Sequence, residues 1–275
     1  MMKFSFSRFM LWAGLFFLYA PMLIMVIFSF NESRLVTVWA GFSTKWYGEL
    51  AQNDKLLDAV GNSLTIAFYA ATAAVILGTI AAFVLARFKF KGSTMLRGMI
   101  TAPLVMPEVI TGLSLLLLFV ALAQLWGWPA GRGMTTIFIA HTTFCMAYVA
   151  VVVGSRLSEM DMSIEEAAQD LGAPPLKVFF TITLPMIAPA LLSGWLLAFT
   201  LSLDDLVIAS FVSGPGSTTL PMVVFSSVRM GVSPEINALA TIIIGLVSTL
   251  VLIAWWYSRR LEKARVRDMQ LVAKK

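Results

Sequence analysis

Three carboxylates stand among strongly apolar neighbours: Glu108, Asp204 and Asp205. Burying an unpaired charge away from water is expensive, so each needs a partner, a proton, water or a function. Their chemistry would be attraction of cations, and Phe199, Phe211 and Phe225 could add ring faces to such a path. Two readings stand for Glu108: a weak cation path, or an acid paired with a base on another helix or held protonated. For Asp204-Asp205 the alternatives are the same path or plain solvation. His141 and Cys145, four residues apart, can share a helix face, and helix packing is the reading for both. One cysteine allows no intramolecular disulfide, and one histidine with it assembles no zinc ligand set. No Ser/His/acid set, no H-E-x-x-H and no G-x-x-x-x-G-K-[ST] occurs, so the chain is expected to be no enzyme and to hold no nucleotide of its own.

Composition says what must position these groups. Of 275 residues, 59% are hydrophobic and 13% charged, with a mean hydropathy of +0.86. Soluble domains carry about a quarter charged residues, so this chain is an integral membrane protein. Six runs are long enough to cross a bilayer: residues 10–30, 64–86, 99–125, 135–153, 186–203 and 236–257. Lys3 and Arg8 precede the first, as in a signal peptide, but its apolar stretch is too long and no small-x-small site follows, so it is expected to be an uncleaved span. Six spans make one all-α bundle, a single transmembrane domain over residues 1–275.

Charge orients the bundle. With the N-terminus in the cytoplasm, fifteen of the twenty Lys and Arg fall inside, and Arg34, Lys45, Lys55, Arg132 and Arg229 fall outside. Both termini are therefore expected to be cytoplasmic. The net charge of +5 and pI near 9.5 express topology, and no nucleic-acid partner is expected. Trp126 and Trp128 at an outer edge, and Trp255, Trp256 and Tyr257 before Arg259-Arg260 at an inner one, read as aromatic belts; the alternative is helix packing.

The inner segment 154–185 departs from a plain connector, carrying five acids against two bases. Ser163-Ile164-Glu165-Glu166 has the capping-box pattern, pairing the Ser163 hydroxyl with the Glu166 amide. Ile164, Ala167, Ala168 and Leu171 follow at helical spacing. Gly172 suits a left-handed cap, and Pro174-Pro175 stop that helix and open another over 176–183. A short capped helix with Ala-Ala on its crown is shaped to lie close against another protein. Outside, Ser213-Gly214-Pro215-Gly216 predicts a turn, and 220–230 a short surface helix that either touches a partner or packs as loop.

Glu166-Ala167-Ala168, Gly172 four residues on, then Ile182-x-Leu184-Pro185 resembles the full signature of permease subunits of binding-protein-dependent ABC importers. Both internal spacings match, and the likeness spans nearly the whole chain, with its shared core at about 60–257. Trp39-Ala40-Gly41-Phe42-Ser43, Trp46-Tyr47, the run from Thr101 to Glu108, and Ser202-Leu203-Asp204-Asp205-Leu206-Val207 are similar to the polyamine branch, and 191–228 is nearest its putrescine permeases. The resemblance implies a type I importer permease fold in a bacterial inner membrane. It implies that 154–185 is a coupling loop in which Glu166, Ala167, Ala168, Gly172, Ile182, Leu184 and Pro185 engage an ATP-binding subunit. It further implies a second related permease as heterodimer partner, two ATPase copies carrying the ATP and magnesium, a periplasmic polyamine-binding protein and membrane lipid. Putrescine is the expected solute; spermidine or another organic cation is the alternative, and an ATP-independent channel or secondary transporter the remote one.

Overall fold

A computed structural model describes residues 6–35, 38–230 and 233–272, with backbone alone at 230, 250, 251, 254, 257, 258 and 260–272. Lys3, the side chains of Tyr257 and Arg260, and those of the basic run beyond lie outside the described residues. The described chain is helical, and its one strand-like pairing is the isolated bridge Asn31–Phe42. Twelve α-helices follow in order: α1 Phe6–Phe28, α2 Lys45–Leu50, α3 Asp54–Arg87, α4 Ser93–Val105, α5 Glu108–Trp126, α6 Met134–Glu159, α7 Ser163–Asp170, α8 Pro175–Val178, α9 Leu184–Asp204, α10 Val207–Val212, α11 Leu220–Met230 and α12 Pro234–Val272. Between α8 and α9 the chain makes a π-helical turn, Phe179–Thr183.

Five of these are long and apolar enough to cross a membrane: α1, α3, α5, α6, and the continuous run Pro175–Asp204. The expected sixth span falls within α12, whose described apolar part is Pro234–Thr249. Helices are the necessary form, because lipid offers no partner to backbone N–H and C=O groups.

The chain forms two compact units. One joins Met1–Asp54 to Ser226–Lys275, with α1 and α2 packed along α12. Asn31, 1% exposed, organises its loop. The Asn31 amide donates to the Val38 carbonyl (2.7 Å), its Oδ1 accepts from Ala40 N–H (2.9 Å), and the Trp46 indole donates to its backbone carbonyl (2.6 Å). The tryptophan and asparagine polar atoms thereby satisfy a buried turn that no helix could.

The other unit, Lys55–Phe225, holds the main core. Here α6 packs on α9, α4 and α10, and α10 packs on α5. Small residues on α3 (Ala67, Ala70, Ala71, Ala74, Gly78 and Ala82) form a buried stripe, the kind of face that lets helix backbones meet closely in lipid. A Cβ at Gly78 would stand 2.9 Å from both the Met146 carbonyl oxygen and the Val149 Cβ of α6. Residues 216–220 are stapled to α3: the Asn62 amide donates to the Gly216 and Thr218 carbonyls at 3.2 Å each, and Leu220 N–H donates to the Ser63 hydroxyl at 2.8 Å. The Ser213–Gly216 turn is present, closed by Gly214 N–H on the Ser217 hydroxyl, and α11 occupies the expected 220–230.

One expected span is broken. Residues 99–125 are not a single helix but parts of α4 and α5. Proline disfavours the helical conformation of the residue before it, and Met106 is accordingly extended at φ −78°, ψ 137°. Pro107 then caps α5, its carbonyl accepting from Ile110 and Thr111 N–H at 2.9 and 3.1 Å. Glu108 is thus the first residue of a helix rather than one well inside a span, and there a carboxylate is favoured by the helix dipole.

The edge tryptophans Trp126, Trp128, Trp255 and Trp256 are each at least half exposed, and the Arg259 guanidinium sits 4.1 Å from the Trp255 ring.

The α3–α6 approach carries a prediction. Gly78→Leu forces apart two helices with no space to yield and should cost about 1–3 kcal/mol. Gly61→Ala, whose added Cβ meets nothing within 4 Å, should be neutral. Thermal unfolding of both variants in detergent, followed by intrinsic fluorescence, checks the contrast.

Candidate functional site

The loop that follows α6 begins where that helix ends at Glu159 and Met160 turns extended. The expected capping box at Ser163 does not form. Asp161 takes the role instead: its Oδ1 accepts the Ser163 N–H at 3.0 Å, and Ser163 becomes the first helical residue. The Glu166 N–H, which the Ser163 hydroxyl was expected to accept, donates instead to the Met162 carbonyl at 3.0 Å, and the Asp161 carboxylate adds charge at the helix's positive end. The Ser163 amide, then its hydroxyl, hold the Asp161 carboxyl below its usual range. This cap is therefore intact above the ordinary Asp range and is lost as pH falls through the lowered value.

The other end follows the sequence. Gly172 has φ +85°, in the left-handed region. Its N–H donates to the Gln169 carbonyl (2.8 Å), and Ala173 N–H reaches the Ala168 carbonyl (3.1 Å), which is the paired bonding of a Schellman cap. Between the caps, Ile164, Glu166, Ala167 and Leu171 are exposed, Leu171 at 90%, and Ala168 is half-buried. The crown of this short helix is thus apolar and exposed among polar flanks.

Past Gly172 the expected separate helix over 176–183 is continuous with the next span. Pro185 lacks an N–H, so the Thr181 carbonyl cannot be satisfied four residues on, and the chain widens to a π turn. Val178, Thr183 and Ile187 are buried, Ile182 and Leu184 are half-buried, and Pro185 is exposed. The loop signature is thus split, with Glu166, Ala167 and Gly172 facing out and Ile182 and Leu184 turned toward the bundle.

Toward the other end of α9, the aspartates part company. Asp204 is exposed, whereas Asp205 is 8% exposed. The Asp205 Oδ1 accepts the Ala209 N–H at 2.8 Å, which caps α10, and lies 3.2 Å from His141 Nε2 without an aligned hydrogen bond. His141 Nδ1 meets the Ser202 hydroxyl at 2.7 Å, and Cys145 lies one turn away beneath the Ala198 carbonyl. This buried His141–Ser202–Asp205 cluster ties α6, α9 and α10, and it was missed in sequence because His141 lies 61 and 64 residues from Ser202 and Asp205. The signal was available: a lone histidine inside a span requires a polar partner.

The aromatic residues are dispersed. Phe199 stacks on Trp195 (5.2 Å, 15°) and lines a cleft of about 440 Å³ with Leu64, Thr65, Phe68 and Tyr69. Phe211 closes on α5, where a Cβ at Gly112 would meet its ring at 2.7 Å. Phe225 is half exposed on α11, and Glu108 is exposed at the α4–α5 break. Among the described residues these groups form no single cage. No group of His, Cys, Asp and Glu there is arranged to hold a metal.

Known proteins share this architecture. The chain is 73% identical over 258 residues to the putrescine transport system permease protein PotI of Escherichia coli K12, covering 94% of this chain and 92% of that one. It is 41% identical over 255 residues to the spermidine/putrescine transport system permease protein PotC of the same organism, covering 92% and 94%. Among solved structures, a bacterial ABC transporter involved in import of the acidic polysaccharide alginate superposes with a TM-score of 0.69 over 90% of this chain and 92% of that one; at 15% identity the likeness is one of fold. A family model described as binding-protein-dependent transport system inner membrane component matches residues 74–267, a stretch that begins within α3, includes all of 154–185 and ends within α12. With the loop's caps and exposed crown lying inside that stretch, the chain belongs to the family of binding-protein-dependent transport system inner membrane components.

Proposed function

We propose that this chain is a permease subunit of an ABC importer that carries putrescine across a bacterial inner membrane. The observation that carries the reading is the 73% identity, over nearly the full length of both chains, to a putrescine permease. Putrescine is also the solute common to the names of both relatives, which favours it over spermidine. The chain crosses the membrane six times, the sixth through α12, with both termini and residues 154–185 in the cytoplasm.

In this reading α7 docks into a groove of an ATP-binding subunit, with Glu166, Ala167, Ala168 and Gly172 at the contact and Ile182, Leu184 and Pro185 carrying the loop into the bundle. Two copies of that subunit supply ATP hydrolysis. A second related permease completes the membrane part, and a periplasmic polyamine-binding protein delivers the solute. The exposed crown of α7 and its two rigid caps support this role, because a docking helix must hold its shape before its partner arrives. Asp204 and Glu108 act as shallow cation contacts along the route, aided by Phe199, Phe211 and Phe225. Asp205 contributes mainly by holding the start of α10.

Three outcomes test the reading. In a Cys145→Ser background, Ser93→Cys and Ser163→Cys should resist an impermeant thiol reagent in intact cells, and Thr44→Cys should react; labelling at 163 from outside overturns the topology. Ala168→Trp should block docking and abolish putrescine uptake, and Gly172→Val, forced into a left-handed conformation at a cost of about 1–2 kcal/mol, should do the same. Retained co-purification of the ATP-binding subunit by Ala168→Trp would end the docking interpretation. Asp204→Asn should lower the maximal uptake rate severalfold while half-saturation, set by the binding protein, hardly changes. Asp205→Asn should instead lower thermal stability, because it weakens a buried carboxylate cap. Vesicle uptake at saturating binding protein, with expression checked by blot, separates the two aspartates.

A further inference from the structure

Within α7 the only buried side chain belongs to Glu165, and no apolar side chain of this helix is buried. The hydrophobic effect therefore does little to hold α7 to the bundle. What holds it is polar. The Glu165 Oε1 accepts from Arg87 Nη2 at 2.8 Å and from the Thr183 hydroxyl at 2.9 Å. The side chains of Arg87 and Glu165 are each 9% exposed, and a second guanidinium nitrogen, Nη1, lies 2.6 Å from Met162 Sδ just before α7.

The positions of these partners matter. Arg87 is the last residue of α3, a candidate span of 34 residues, where a cation also suits the helix's negative end. Thr183 is the last residue of the π turn that feeds α9. One carboxylate oxygen thus joins the loop helix to the inner ends of two spans. A shift of α7 cannot occur without moving both partners or leaving a buried charge unpaired, and the latter is strongly unfavourable.

We propose that the Arg87–Glu165–Thr183 clamp is the joint through which displacement of α7 is delivered to the spans α3 and α9. Glu165 is a positioning residue: it faces inward and transmits, whereas its neighbour Glu166 faces outward. The inference rests on the docking role given to α7 above. It separates two jobs that adjacent glutamates perform, since docking needs the exposed face and transmission needs the buried one. Arginine is required for its fork geometry, which reaches the carboxylate and the methionine together, as a lysine cannot.

The test uses the assembled complex in proteoliposomes, with ATP hydrolysis and labelled putrescine uptake measured on the same preparation. Glu165→Gln and Arg87→Gln should retain the ATP-binding subunit at parental yield and still hydrolyse ATP. The ATP consumed per putrescine imported should rise by about fivefold or more. Thr183→Val should move the same ratio in the same direction, and Thr183→Ser should restore it. The double exchange Glu165→Arg with Arg87→Glu should recover part of the coupling that either single exchange loses. A parental ratio in Glu165→Gln overturns the proposal, and so does loss of the ATP-binding subunit from that variant, which would make Glu165 a docking or folding residue. Ala168→Trp, assayed alongside, reports on docking alone, so failure of the docking reading and failure of the clamp give different patterns.

Discussion

A backbone amide inside hydrocarbon has nothing to bond except its own helix. Every interruption of a span must therefore be bought with a specific substitute. In Lys55–Phe225 the interruptions are few and each has an identifiable one. At Met106-Pro107 a proline carbonyl starts α5. At Asp205 a carboxylate caps α10. At Phe179–Thr183 the helix widens instead of breaking. Interruptions at α4–α5 and α9–α10 bring Glu108 and the two aspartates to helix ends, so the charged residues and the backbone breaks are one phenomenon.

Much of this was legible in the residues. Apolar runs of bilayer length located the five helices long enough to cross a membrane, to within their ends, because a helix satisfies its own backbone where lipid offers no partner. Gly172 announced its left-handed cap, and Ser213–Gly216 its turn. The split of 99–125 was partly legible in Pro103 and Pro107 just before Glu108, residues that interrupt backbone bonding, but proline inside a span can also merely kink it. The Ser163 capping box does not form because Asp161, two residues earlier, takes the Ser163 amide and the helix starts one residue sooner, with the Glu166 amide on the Met162 carbonyl; a four-residue pattern ignores what lies just outside it.

Side-chain partnership was the least legible layer. Glu165 and Glu166 are adjacent acids with opposite surroundings, and their difference depends on Arg87 and Thr183, 78 and 18 residues away from Glu165. Asp204 and Asp205 also differ in surroundings: Asp205 accepts the Ala209 N–H and lies beside the distant His141, whereas Asp204 is exposed. Helical phase distinguishes inward from outward only when the apolar stripe is clear, and in α7 the buried position is the charged one. Low dielectric raises the stakes of every such pair, so these few contacts weigh more than their number suggests.

The π turn has a consequence for everything downstream of it. Such a turn holds one residue more than the α-helical path it replaces, and each residue of an α-helix corresponds to about 100° of rotation. Phe179–Thr183 therefore sets the azimuth of the whole of α9. Were the turn to tighten by one residue, Gly194, Ala198 and Ser202 would rotate off the face they share, and Trp195 and Phe199 would swing with them. The compass bearing of a 21-residue span is decided in five residues at one end of it.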